Sequence, residues 1–278
     1  MFEGRTLVIA TKHHKEQAIA PVMEQALGVR CVVAEGLETD ELGTFSGEIE
    51  RTLNPLSAAK EKCRRALAHS PYDLAIANEG SFGPHPALFM IPADEEILFL
   101  IDTKNQWELP IRTISTETNF AGQQIQDEEA LLAFAEAALF PSHALILRPF
   151  KDAKQDIVKG IQDETLLLES FRKLKAEYDS VYAETDMRAL YNPSRMKVIE
   201  ELTQQLVTRL QQNCPECGQP GFGVVDVRSG LPCGWCGQAT SQILAEIWAC
   251  PKCSYREERL FPKGQKEADP GRCDYCNP

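Results

Sequence analysis

Eight of the ten cysteines form four Cys-x-x-Cys pairs: Cys214/Cys217, Cys233/Cys236, Cys250/Cys253 and Cys273/Cys276. Two thiolates at this spacing grip one ion from a tight knuckle, and two knuckles complete the tetrahedral four-cysteine geometry of a structural Zn²⁺ site. Two structural Zn²⁺ ions are therefore expected. Pro and Gly supply the turns in Cys214-Pro-Glu-Cys217-Gly218, Cys233-Gly-Trp-Cys236-Gly237 and Cys250-Pro-Lys-Cys253. The connecting stretches 218–232, 237–249 and 254–272 each have room for a short hairpin. Sequential pairing is expected, with Cys214, Cys217, Cys233 and Cys236 on one ion and the other four on the second; interleaved pairing is the alternative. Sites made only of cysteine leave no open position for water, so a structural role is expected. No signal peptide opens the sequence, so a reducing cytoplasm is expected and disulfides are disfavoured. An iron–sulfur cluster is the weaker rival, because no Cys-x-x-Cys-x-x-Cys run occurs.

Outside this region, chemistry concentrates in four polar segments. Lys12-His13-His14-Lys15 lies between a strand and a helix start, where backbone N–H groups and the helix dipole favour an anion. Asn78-Glu79-Gly80-Ser81-Phe82-Gly83-Pro84-His85 follows a strand, and its glycines allow a ligand to come close. Glu79 can hold Mg²⁺ or act as a base, and His85 can bind or transfer a proton. Arg148 follows a further strand. Arg188 and Arg195, in Glu184-Thr-Asp-Met-Arg-Ala-Leu-Tyr-Asn-Pro-Ser-Arg195, precede or begin a helix and can receive a phosphate or carboxylate. The competing reading of that segment is an ion-pair network that clamps helices, with Asn192 as a helix cap.

The elements that must position these residues follow from pattern. Strands are expected at 5–10, 30–34, 73–77, 97–102, 111–115 and 144–148. A helix ends at Leu27 with Gly28 as its stop, and Pro21 predicts that its regular part begins near Ala20. Asn54-Pro55 opens another helix, with Leu56, Ala59, Cys63 and Leu67 on one face, and 126–139 forms a third. Strands alternating with helices predict an α/β fold with a mixed or parallel sheet. From Lys151 the pattern reads as helical, with Ile157, Ile161, Leu168, Phe171, Leu174 and Tyr178 on one face, and Asn192-Pro193 starts a helix that leads to the first knuckle. The expected organisation is an α/β domain at 1–150, a helical segment at 151–212 packing on it, and a double zinc ribbon at 213–278.

Composition sets limits. The 278 residues are 43% hydrophobic, enough for a packed core, and no apolar run reaches the roughly 20 residues of a membrane helix. A net charge of −12 and a pI near 5.0 argue against general nucleic-acid binding.

The order Ala10-Thr-Lys-His-His-Lys15, Thr52-Leu-Asn-Pro-Leu-Ser-Ala-Ala-Lys60 and Ala75-Ile-Ala-Asn-Glu79-Gly80 resembles the opening of the inosine/xanthosine triphosphatase-like nucleotide pyrophosphatases. That resemblance implies that Lys15 touches phosphate and that Glu79 binds Mg²⁺ or activates water. The whole arrangement also resembles an uncharacterised bacterial family of unknown function, which implies no activity. The expected function is therefore binding, with hydrolysis as its extension, of a phosphorylated small molecule such as a nucleotide. Lys12, His13, Lys15, Asn78, Ser81, Arg148, Arg188 and Arg195 are its expected ligand contacts, and Glu79 and His85 its catalytic groups. The rival is a non-catalytic adaptor whose zinc ribbon binds a protein or RNA partner.

Overall fold

The computed structural model describes residues 1–34, 36 and 53–278. Thr52, part of the resemblance above, lies outside them. The chain divides into two units, one of residues 1–106 and 110–206, the other of residues 107–109 and 207–278.

The first unit holds most of a five-stranded sheet of order β2-β1-β3-β4-β5: β1 (Thr6–Ala10), β2 (Arg30–Val33), β3 (Leu74–Pro84), β4 (Pro92–Asp102) and β5 (Trp107–Ser115). The apolar run Leu7-Val8-Ile9-Ala10 is buried because β1 is an interior strand, parallel to both β2 and β3. Parallel neighbours need crossovers, supplied by α1 (Glu16–Leu27) and α2 (Pro55–Ala68). The path leaves β1 for β2 on one side and then crosses to β3 on the other, so strand order reverses at β1.

α2 starts as expected, with Asn54 Oδ1 accepting from Ser57 N at 2.9 Å and Pro55 in its first turn. Its buried face is Ala58, Ala59, Cys63 and Ala66, while Leu56 is exposed. Small side chains let the helix pack on Val8, Ala10, Ala75 and Ala77. α1 begins at Glu16, four residues before the expected regular start, and carries Pro21 inside it. Lys15, at its N-cap, is tied to Asn78 O, which anchors the first turn ahead of the proline. Gly28 ends the helix at φ 65°, its N–H bonded to Glu24 O.

The expected loop at 78–85 is largely strand. β3 runs to Pro84 and pairs antiparallel with β4 along its whole length, from Leu74↔Asp102 to Pro84↔Pro92. Its polar residues mark buried ionic side chains between layers, and a single sequence reads such a stretch as loop.

The expected helical segment also changes character. β6 (Gly122–Ile125), β7 (Leu145–Arg148), β8 (Val158–Ile161) and β9 (Val181–Thr185) form a second sheet of order β6-β9-β7-β8, antiparallel throughout. Its strands β8 and β9 lie in 151–212, and the expected boundary at 150 falls between β7 and β8, which pair with each other. Gly160, at φ 70° with its N–H on Asp186 Oδ2 at 3.1 Å, breaks the helical periodicity that Ile157 and Ile161 suggest. The helix that does form, α4 (Glu164–Tyr178), packs with α3 (Glu128–Ala137) around Leu131, Phe134, Leu145, Leu147, Leu167, Phe171 and Val181. Asp127 and Asp163 cap these helices through Ala130 N and Leu166 N.

α5 (Pro193–Leu210) leads into the second unit, a three-stranded antiparallel sheet of order β10-β11-β12: β10 (Gly223–Ser229), β11 (Ile243–Ala249) and β12 (Arg256–Leu260). No helix among the described residues is long and apolar enough to cross a membrane.

Candidate functional site

The eight cysteines gather into two groups, Cys214/Cys217/Cys250/Cys253 and Cys233/Cys236/Cys273/Cys276. This corrects the sequential pairing. The first knuckle enters β10 and the third leaves β11, and Gly223 pairs with Ala249, so both sit at one end of the sheet. The second knuckle follows β10 at the other end. The strand between the first and second knuckles is seven residues long, which at about 3.3 Å per residue separates their ends by roughly 20 Å.

Four sulfurs about 2.3 Å from a tetrahedral Zn²⁺ lie about 3.8 Å from one another. The separations Cys214–Cys253, Cys217–Cys250, Cys233–Cys276 and Cys236–Cys273 are 3.7, 3.6, 3.8 and 3.7 Å. Both groups thus fit a structural Zn²⁺. The knuckles at 214 and 233 share one backbone design: Gly218 and Gly237, at φ 70° and 71°, donate to Cys214 O and Cys233 O, both at 2.9 Å. N–H groups also point at sulfur, from Trp235 to Cys233 Sγ and from Lys252 to Cys250 Sγ, both at 3.4 Å. Such donors favour the thiolate that a metal ligand requires.

In the first unit a second constellation lies where strand order reverses. Lys15, from the loop after β1, donates Nζ to Asn78 O at 3.0 Å. Asn78 Nδ2 donates to Glu96 Oε2 at 2.8 Å, and Glu96 Oε1 accepts from Arg195 Nε at 2.6 Å. Arg195 Nη1 also donates to Met187 O at 2.6 Å, and its guanidinium lies 5.1 Å from the centre of the Phe82 ring. Glu79, one residue along β3 and on the α2 face, is ion-paired with Lys62. Gly80 lies opposite Glu96 on β4, where a Cβ would collide with Arg195 Nη2 and Glu96 Oε1. Lys15, Asn78, Glu79, Asp94, Glu96 and Arg195 are all buried.

The electrostatics of this cluster are coupled. Burial, helped by the Arg195 charge and opposed by Glu79 and Glu96, brings the Lys15 ammonium down to about 7. Asp94 is completely buried, and neither carboxylate oxygen is bonded to a donor among the described residues. Burial first, then the neighbouring Glu96 charge, pushes it up to about 8, against the pull of Arg195. Arg195 and Asn78 both donate to Glu96, and Asp94 keeps its proton beside them.

Among the residues singled out from sequence, Lys15, Asn78, Glu79 and Arg195 therefore meet. Lys12 and His13 are half-buried in the adjoining loop, where His13 and His14 both take left-handed backbone angles, φ 66° and 62°. Consecutive left-handed residues other than glycine mark a strained segment, of the kind found at ligand clamps. Ser81, half-buried, reaches Glu95 Oε2 at 3.5 Å. His85 is in the β3–β4 connection and accepts from Ala87 N and Leu88 N, both at 3.1 Å, as a turn former. Arg148 is ion-paired with Glu184 and donates to Ala153 O at 3.1 Å. Arg188 pairs with Asp186 at 2.5 Å and lies 4.5 Å from the centre of the Tyr191 ring. Both arginines join residues of the second sheet and its flanking turns. Asn192 caps α5, its Oδ1 accepting from Arg195 N at 2.9 Å.

Sequence reasoning missed Lys62, Asp94 and Glu96. The signal for the last two was present: Asp94 and Glu96 alternate just before the apolar run Ile97–Ile101, which puts both on one face if the strand starts early.

A family model described as a domain of unknown function (DUF6671) matches residues 62–278, and the chain belongs to this family. The match includes all eight paired cysteines and Glu79, Asp94, Glu96 and Arg195; Lys15 lies before it. No curated protein matches the chain.

Proposed function

We propose that this member of the DUF6671 family is a cytoplasmic, zinc-stabilised protein whose α/β unit binds a phosphorylated small molecule such as a nucleotide, and hydrolyses it with Mg²⁺. The reading is carried by one observation: Lys15, beyond the carboxyl end of the interior strand β1 and at the N-terminus of α1, meets Asn78 where strand order reverses. Open α/β sheets bind ligands at such reversal points, and a lysine at a helix N-terminus suits an anion. Arg195 adds a second cation from the first turn of α5, and the strained His13-His14 loop adjoins both the strand and the helix. Glu79 is the group that would take a proton from an attacking water, and Mg²⁺ would neutralise charge on the phosphates.

The test is calorimetric titration of the zinc-loaded protein with nucleoside mono-, di- and triphosphates, with and without Mg²⁺, alongside assay of released phosphate. Binding that Lys15→Met weakens at least tenfold, with zinc content unchanged, supports the reading. A full nucleotide panel without binding overturns it.

A further inference from the structure

The two four-cysteine groups share a plan but present different surfaces. At the third position of each knuckle the first group carries Glu216 and Lys252, whereas the second carries Trp235 and Tyr275. These aromatics are 80% and 78% exposed. A knuckle holds its metal with either kind of residue, so metal binding does not require the aromatics, and water disfavours leaving two of them uncovered. Beside this group opens a pocket of about 270 Å³, lined by Leu231, Ser241, Gln242, Ile243, Lys263, Gln265 and Arg272. It adjoins the metal group directly, because Arg272 precedes Cys273 and Leu231 stands two residues before Cys233. No acid lines it. The side chains of Lys263 and Arg272 have no hydrogen-bond or ion-pair partner among the described residues, while Arg228 and Arg259 of the same sheet are paired with Glu258 and Glu257. The acids nearest in sequence, Glu267, Asp269 and Asp274, lie outside the pocket, and Asp269 is engaged in capping Gly271 N at 2.8 Å.

We infer that this end of the zinc module binds single-stranded nucleic acid, with a phosphate in the pocket of Lys263 and Arg272 and bases stacked on Trp235 and Tyr275. Unpaired cations beside amide and hydroxyl donors suit a phosphate, and exposed aromatic faces suit unstacked bases of any sequence. Bases inside a duplex are already stacked, so a double strand offers nothing to the aromatic pair. The chain's charge of −12 opposes nucleic acid at long range, so binding is local and strongly salt-dependent. This site is separate from the Lys15 cluster and stands or falls independently of it.

The experiment is fluorescence anisotropy with a labelled RNA of mixed sequence, about 12 nucleotides long and thus within the usual ~4–16-nucleotide footprints, and with the matching duplex. It uses the full zinc-loaded chain, with zinc content measured for every variant. The expected result is single-strand binding at least tenfold tighter than duplex binding. Trp235→Ala and Tyr275→Ala should each weaken it about five- to hundredfold, and Trp235→Phe much less. Lys263→Gln with Arg272→Gln should reduce the slope of log affinity against log salt by about 0.7, the value for one lost phosphate contact. Absence of binding at about 100 µM protein in low salt overturns the inference, since even non-specific binders act in that range. So does equal affinity for the duplex, or binding that these variants leave intact and Lys15→Met abolishes.

Discussion

Arg195 Nε and Glu96 Oε1 are 2.6 Å apart, with both side chains fully buried, and they tie the start of α5 to β4 across 99 positions of sequence. Deleting one partner of such a pair leaves the other charge buried and alone. Arg195→Met is expected to cost about 3–5 kcal/mol. Adding Glu96→Gln should restore a large part of that, because no uncompensated charge remains. Urea unfolding of the two single variants and the double variant measures the coupling, and strictly additive losses would contradict it.

Gly80 leaves room for this pair. Gly80→Ala drives a methyl into Arg195 Nη2 and Glu96 Oε1, and about 1–3 kcal/mol of destabilisation is expected. At Gly83, on the same strand, a methyl would meet nothing within 4 Å, so Gly83→Ala should be neutral or slightly stabilising. Thermal unfolding of the two variants side by side distinguishes a packing constraint from a general intolerance of alanine in β3.

Asp94 should make stability depend on pH. Its folded pKa, about 8, lies above the ordinary unfolded value near 4, so between these the folded state binds the proton more tightly. Stability from this group is therefore fully present below about pH 4, falls as pH rises through the window, and is gone above about 8. Lys15 acts in the opposite sense above about 7, where its lowered pKa makes stability rise with pH. Asp94→Asn, which mimics the protonated carboxyl, isolates the first effect. Its stability relative to the native chain should improve steadily from pH 5 to pH 8, as read by urea midpoints, and a constant difference across that range would refute the assignment.

Zinc stoichiometry tests the pairing. Cys214→Ser and Cys253→Ser should each lower zinc from two to one per chain, and the double variant should still hold one, because both residues serve the same group. Combining Cys214→Ser with Cys233→Ser should remove both ions. Sequential pairing predicts the reverse pattern, so metal analysis of the two double variants decides between them.

If a phosphate docks at Lys15, its charge must raise the lysine's pKa from about 7, and binding must take up a proton. Calorimetry at pH 7.5 in buffers of different ionisation enthalpy should show uptake of a fraction of a proton per ligand bound. Lys15→Met should abolish that fraction. Uptake that persists in the variant would assign the proton to another group.

The cysteines show what sequence alone determined. Spacing within a knuckle is a local property, so the four pairs, their turns and their suitability for Zn²⁺ were legible residue by residue, as were the Asn54, Gly28 and Asn192 helix signals. Which knuckle faces which was decided by β10 and β11, since an antiparallel strand returns the third knuckle to the first and carries the second away. The same holds in the α/β unit. Apolar runs marked β1, the start of β3 and the end of β4, but the polar stretch 78–85 read as loop, because the strand through Pro84 is specified by a partner and by buried ion pairs rather than by alternating hydrophobic residues. The strands β8 and β9 were hidden for a related reason: short strands of four and five residues take their identity from neighbours in the sheet, whereas helical periodicity is written within one segment. Lys15, Asn78, Glu79 and Arg195 each stood out as chemistry. Only the tertiary structure brought Asp94 and Glu96 among them and raised the Asp94 carboxyl, since burial and mutual distance, which no single segment encodes, set its charge.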